Sequence, residues 1–301
     1  MSHDTNNHEP VMTGARQTMS TWSKRIESYD AIPVIYRSAL DPQLAETADF
    51  PHIVLIPPLD KFLRKTNQKL ICDSPDAIHI LERNGSQVVK KSYPYQGITM
   101  LEYGSILLRS WIKICGLTSE GDMDSSTFDF NTVMSERHFS IFINKARPAP
   151  SGSDENRFKA EQDKFKALAS LNFKFMNYGR SSIIMGQKVR QTILQPEIRE
   201  VSYKLLGWTF YRTLALATLT ILTGQELIFI QDDDRGLKKG AKHGGVWQYI
   251  PLRAIASTSL QESSEDLLTL TVNLTSGHTL SKSYETHKKE ELELLRKQLE
   301  K

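Results

Sequence analysis

Alternation of apolar and polar positions dominates this chain, and two long stretches of it follow one plan. The later stretch opens at Leu219 with a strand pair, TLTILTGQELIFIQDDD, and a charged loop. It continues through WQYIPLRAIASTSL and an alternating strand, LLTLTVNL. A closing helix follows from Ser283 to Lys301, with Tyr284, Leu292, Leu295 and Leu299 on one side. The earlier stretch reads KLICDSPDAIHILER, SYPYQGITMLEYG, ILLRSWIKICG and then a helix after Phe130. Each copy sets a proline three residues before a small residue and isoleucine: Pro94 before Gly97-Ile98, and Pro251 before Ala254-Ile255. His79 aligns with Ile228 at an offset of 149, Pro94 with Pro251 at 157, and Phe128 with Leu280 at 152. The second copy therefore carries 8 extra residues in DDDRGLKKGAKHGG, and the first 5 extra in Gly116–Ser126. Insertions that fall in polar, glycine-rich loops are those a structural repeat tolerates.

Taken in order, IPVIYRSAL (Ile32–Leu40) reads as a short apolar strand closed by Asp41-Pro42, and IVLIPPL (Ile53–Leu59) as a strand ended by its prolines. Asp73-Ser74-Pro75-Asp76 predicts one hairpin turn and Asn84-Gly85 a second, in which both residues tolerate positive φ. Strands are expected at Ile98–Tyr103 and, after a break at Gly104-Ser105, at Ile106–Cys115. There Leu108, Ser110, Ile112 and Ile114 alternate with Arg109, Trp111 and Lys113, predicting one buried and one solvated face. Gly116–Ser126 reads as a loop, TFDF as a strand, and Val133–Ala146 as a helix capped by Asn131, with Met134, His138, Ile141 and Phe142 on its stripe. Arg147 to Ser153 (RPAPSGS) is a proline/glycine/serine linker and marks a boundary. An amphipathic helix over Asp154–Asn177, ended by Tyr178-Gly179, carries Phe158, Phe165, Leu168, Phe175 and Met176 toward a neighbouring domain. SSIIMGQKVRQTILQPEI then gives a glycine turn and a strand stopped at Pro196.

Composition narrows the class. At 39% hydrophobic and 24% charged, 301 residues suffice for two ordinary domains. A net charge of +3 is too small for a nucleic-acid-coating protein. Cys72 and Cys115 lie far apart in apolar runs and predict buried thiols, not a disulfide scaffold. The polar N-terminus shows no signal-peptide pattern, so the expectation is a cytoplasmic chain, at most peripheral at the inner membrane face. Leu205–Thr223 is long enough to span a bilayer, but Arg212 near its middle and its recurrent threonines argue for strands.

Short antiparallel strands closed by a C-terminal amphipathic helix, twice over, resemble the bacterial pleckstrin-homology-like (PH-like) domain. The residues that carry the likeness are TLTILTGQELIFIQD, YIPLRAI and LTLTVNLTSGHTL, followed by YETHKKEELELLRKQL. The first copy is similar in layout and more divergent. The resemblance implies an α+β, mainly β chain with a first PH-like domain (22–147) and a second (178–301), while the polar N-terminus reads as a disordered arm (1–21) and residues 148–177 as a linker with a connecting helix. Each domain would be a strongly bent antiparallel sheet, a partly open barrel with one end plugged by its helix. Open strand edges leave room for a dimer or an intramolecular edge-to-edge contact.

The resemblance also implies a recognition module, a non-catalytic scaffold for a protein partner or an anionic surface. A small-ligand or hydrolytic site between the two domains is the alternative. No nucleophile elbow, Walker loop, HExxH or CxxC occurs, so neither catalytic residues nor a cofactor are expected. Asp122, Asp124 and Ser126 imitate the start of a calcium loop, but Thr127 and Val133 stand where glycine and glutamate are required. Asp232, Asp233, Asp234 and His243 could hold a metal across a hairpin, and a solvated turn balancing nearby lysines is the plainer reading. His79 and His138 read as satisfied core histidines. The candidate binding residues are Arg235, Lys238, Lys239, Lys242 and His243, crowded in the glycine-rich insertion. In PH domains that bind anionic headgroups, a basic strand-to-strand loop does so, and this loop resembles it in position and charge; Asp232, Asp233 and Asp234 adjoin it and cancel most of that charge at a distance, so a plain solvated loop is the alternative.

Overall fold

The computed structural model describes residues 22–45, 49–61, 64–134, 138–148, 152, 154–205, 208–232, 244–263 and 266–300. The first half opens with β1 (Lys24–Ile26), helix α1 (Val34–Ala45), β2 (Ile53–Ile56) and a small ribbon of β3 (Leu59–Lys61) and β4 (Arg64–Thr66). Next come β5 (Lys69–Asp73), β6 (Ala77–Asn84), β7 (Gln87–Pro94), β8 (Ile98–Ile106), β9 (Arg109–Leu117), β10 (Met123–Asn131) and helix α2 (Ser140–Ala146). Helices α3 (Glu155–Asp163) and α4 (Phe173–Ser182) connect the halves. The second half holds β11 (Val189–Gln195), β12 (Ile198–Leu205), β13 (Trp208–Ala215), β14 (Thr218–Thr223), β15 (Glu226–Gln231) and β16 (Gly245–Pro251). It closes with β17 (Ile255–Glu262), β18 (Leu267–Leu274), β19 (Thr279–Glu285) and helix α5 (Lys289–Leu299). The chain is mainly β, α+β, with antiparallel sheets, and among the described residues none closes into a barrel.

The strands do not form two separate sheets. Strand β16 of the second half pairs antiparallel with β8 of the first, from Gly245↔Ser105 to Tyr249↔Leu101. The result is one seven-stranded sheet of order β10-β9-β8-β16-β15-β14-β11. This is the intramolecular edge contact left open by the sequence, and it turns two exposed edges into interior strands. Period two then assigns each face. Leu219, Ile221, Ile228, Ile230, Trp247 and Tyr249 enter a core shared with Ile112, Phe128 and Phe142 of the first half. Leu222, Leu227, Phe229 and Ile250 point the other way, under Leu268, Leu270, Leu292 and Leu295 of the β17-β18-β19 sheet and α5. Burial on both faces explains why β14 reads as a continuous apolar-and-threonine run. No helix among the described residues is long and apolar enough to cross a membrane, and the described residues of the 205–223 run belong to β12, β13, β14 and the connection between β13 and β14.

Several local expectations are corrected. Ile32–Leu40 belongs mostly to α1, not to a strand, because Ile32, Tyr36 and Leu40 recur every fourth residue and all three are buried. Their partners are Ile53, Leu70 and Leu81 on the outer face of the β1-β2-β5-β6-β7 sheet. Strand β8 runs through Gly104-Ser105, and the turn falls at Leu107-Leu108, where Leu107 has φ 53°. Neither face of β9 is solvated, since Trp111 is buried along with Ile112 and Ile114. The loop after β9 is short, with β10 starting at Met123 and Lys91 pairing with Asp124 at 2.6 Å. The helix expected over Val133–Ala146 is a 3-10 turn at Thr132–Met134 followed by α2, although Asn131 Oδ1 does accept from the Val133 amide. The connecting helix is broken: Asp154 caps α3, a 3-10 stretch covers Lys164–Leu168, and Asn172 caps α4 anew. Gly179 lies inside α4, where an added Cβ would sit 2.4 Å from the Phe165 ring. Tyr284 belongs to β19 and not to the last helix. At the β6–β7 turn Asn84 still pairs with Gln87, so only Gly85 takes positive φ, at 62°.

Candidate functional site

Where the halves meet, the structure buries an ion pair that the sequence disguised as linker. Arg147 follows α2 at 5% exposure, and Glu226 opens β15 at 0%. Arg147 Nη2 donates to Glu226 Oε1 at 2.5 Å and to the Ser182 carbonyl at 2.5 Å, while its Nε donates to both carboxylate oxygens at 3.2 and 3.3 Å. Gln187 Nε2 adds a further bond to Glu226 Oε1 at 2.5 Å, and the guanidinium lies 3.9 Å from the centre of the Tyr249 ring. Burial is the largest single influence and opposes the Arg147 charge, yet the attraction of Glu226 and Tyr249 and the hydrogen bonds to Glu226 together outweigh it, and the pKa stands above the ordinary arginine value.

Beside this pair, an open depression of about 320 Å3 lies between the halves, lined by Tyr95, Gln96, Lys145, Arg147, Gln225 and Arg253. Two of its three cations are paired with carboxylates, and the third is held by backbone carbonyls. Lys145 Nζ donates to buried Asp73 at 2.6 Å, and the Tyr95 hydroxyl donates to the other Asp73 oxygen. Burial first, then Asp73, pushes the Tyr95 pKa upward. Arg253 donates to the Tyr95 and Gln96 carbonyls at 3.3 and 3.1 Å, so a residue of the second copy grips its own counterpart, Gln96, in the first. The two corner turns share one backbone: Pro94 (φ −55°, ψ 135°) and Pro251 (φ −56°, ψ 135°) each lead into a three-residue 3-10 turn.

The buried histidines are hydrogen-bonded. His79 contacts Ser92 Oγ at 2.8 Å and Ser74 Oγ at 3.1 Å, and burial pulls its pKa down to about 4, leaving the ring neutral. His138 Nδ1 meets Ser23 Oγ at 3.1 Å. Cys72 and Cys115 are buried free thiols, pushed by burial to about 12 and about 11. Among the described residues no group of three His, Cys, Asp or Glu could hold a metal. Asp232, one candidate ligand, instead forms an ion pair with Lys174 of α4.

Arg235, Lys238, Lys239, Lys242 and His243 all lie outside the described residues, as do Asp233 and Asp234. Their point of departure is fixed, however. Register across the central sheet places Gln195, Thr218, Gln231, Val246, Gly104 and Trp111 in one row. The rim beyond that row releases the segment between Asp232 and Gly244, and it also carries the β8–β9 turn, with Leu107 and Leu108 exposed. From the same rim β12 and β13 leave as a two-stranded hairpin, with no third strand among the described residues. Sequence reading missed this hairpin, because its second strand merges into the apolar run that continues through β14. The run of Val201, Tyr203, Trp208, Phe210 and Tyr211 at alternating or adjacent positions was the available signal, and all five are exposed. Neither the known family models nor the curated proteins contain a match to this chain.

Proposed function

We propose that this chain is a non-catalytic binding module, built from two PH-like halves, that docks on an anionic membrane surface through the rim of its central sheet. The halves repeat one order: strands, a proline corner with its 3-10 turn, three antiparallel strands, and a helix packed into a core. One observation carries the docking reading. The 233–243 segment, with four lysines and arginines against two aspartates in its sequence, leaves the sheet at the rim that bears exposed Leu107 and Leu108. A ligand or hydrolytic site between the halves finds less support, since Lys145, Arg147 and Arg253 in the junction depression are already held by Asp73, Glu226 and backbone carbonyls.

Cosedimentation with vesicles tests the proposal. Wild-type protein should pellet with vesicles containing phosphatidylserine at low salt and dissociate as salt rises. Each cation near such a surface contributes about 1 kcal/mol, so Lys238→Glu with Lys239→Glu should weaken binding at least about thirtyfold. Equal pelleting by the double variant, or none by the wild type at low salt, overturns the proposal in favour of a protein partner.

A further inference from the structure

The β12–β13 hairpin is the longer of two two-stranded ribbons among the described residues, with strands of 8 residues against 3 in β3 and β4. At about 3.3 Å per residue its eight-residue strands reach roughly 26 Å from the sheet. An isolated two-stranded ribbon is only marginally stable in water, and this one hides little of its apolar surface. Trp208 is 74% exposed, Tyr211 61% and Tyr203 54%.

Polarity is graded along its length. The charges sit at the root, where Arg199 pairs with Glu197 and Arg212 with Glu200. In the outer half, residues 203–210, the sequence YKLLGWTF contains a single charge.

The aromatic groups occupy both faces. Tyr203 pairs with Phe210, their rings stacked at 4.5 Å, and Trp208 shares that face two residues along. The irregularity in register between Val201 and Tyr203 puts Val201 opposite Tyr211, on the reverse face. A folded partner with one complementary surface would cover one face and leave the other wet. A lipid interface surrounds an inserted ribbon on all sides, and tryptophan and tyrosine are the residues that favour such an interface.

We propose that the β12–β13 hairpin is a bilayer anchor that enters the headgroup–acyl boundary tip first, with Tyr203, Trp208 and Phe210 as its inserting residues. This rests on the anionic-surface reading above and adds an apolar component to it: β15 and β16, which flank the cationic 233–243 sequence, meet the same rim from which the hairpin departs.

The test uses the full chain and vesicles of phosphatidylcholine and phosphatidylserine whose acyl chains carry bromines near the headgroup end. Trp111 and Trp247 are buried and Trp22 is half-buried, so Trp208 is the well-exposed reporter among the described tryptophans. Bromines should quench wild-type emission, and Trp208→Phe, measured at a lipid concentration high enough to hold this weaker binder on the vesicles, should lose that quenching. Tyr203→Ser, Trp208→Ser and Phe210→Ser together should weaken binding by about tenfold or more, with an unchanged far-ultraviolet spectrum. Quenching that persists in Trp208→Phe, or wild-type affinity in the triple variant, overturns the anchor. If Lys238→Glu with Lys239→Glu releases the protein while the triple variant stays bound, the anchor alone falls and the charged surface stands. A wild type that ignores vesicles removes both. A triple variant that converts a dimer to a monomer and leaves vesicle binding intact assigns the hairpin to a second copy of this chain instead.

Discussion

Glu226→Ala is expected to destabilise the protein by about 3–5 kcal/mol, the cost of breaking a buried ion pair from one side. Removing the carboxylate leaves Arg147 charged at 5% exposure, holding only the Ser182 carbonyl and the Tyr249 ring face. Gln187 Nε2 also loses its acceptor. Because the pair links the end of α2 to the start of β15, the loss falls on the seam between the halves. Denaturant titration should show a lower midpoint. Replacing both partners by apolar residues, Arg147→Met with Glu226→Leu, should recover most of the loss, since the desolvation cost of both charges disappears with their attraction. A single variant within about 1 kcal/mol of wild type would mean that water reaches the pair.

Gly104→Val is expected to cost about 3 kcal/mol, at the upper end for overpacking a core. A Cβ at this position would stand 2.0–2.2 Å from atoms of the Trp111 ring. That ring cannot withdraw freely: its Nε1 donates to Glu102 Oε1 at 2.8 Å, and the Arg109 guanidinium lies over it, 5.2 Å from its centre. The same glycine pairs with Val246, so the strain enters the β8–β16 ladder. Trp111→Ala in the Gly104→Val background should return part of the loss, giving a coupling energy of about 1 kcal/mol or more in a double-mutant cycle. Additive losses would show that the two positions do not touch.

Local features of this fold were legible in the sequence where the deciding chemistry is local. The alternation in Leu267–Leu274 marks β18 to the residue, and Pro75 and Gly85 mark their turns. The proline corners identified the repeat, since Pro94 and Pro251 impose the same backbone on different sequences. Pairing between distant segments left no comparable trace. Nothing in Gly245–Tyr249 distinguishes an edge strand from one that pairs with Leu101–Ser105 about 150 residues away. Arg147, followed at once by a proline, looks like the start of a solvated linker, and its partner lies 79 residues downstream. Ile32–Leu40 misled because isoleucine, valine and tyrosine favour strands in isolation, whereas a buried stripe of period four decides for helix. The hairpin was hidden by the opposite error, a composition so apolar that Leu205–Thr223 read as one run.

The central claim is that one rim of the seven-stranded sheet is the recognition surface. Amide hydrogen exchange on the full chain, with and without phosphatidylserine-containing vesicles, addresses it most directly. The account predicts slowed exchange in peptides covering 198–215 and 233–243, with the β17–β19 sheet and α5 unchanged. Protection that falls instead on the Pro94 and Pro251 corners at the far end of the strands, or exchange identical in both conditions, would contradict it.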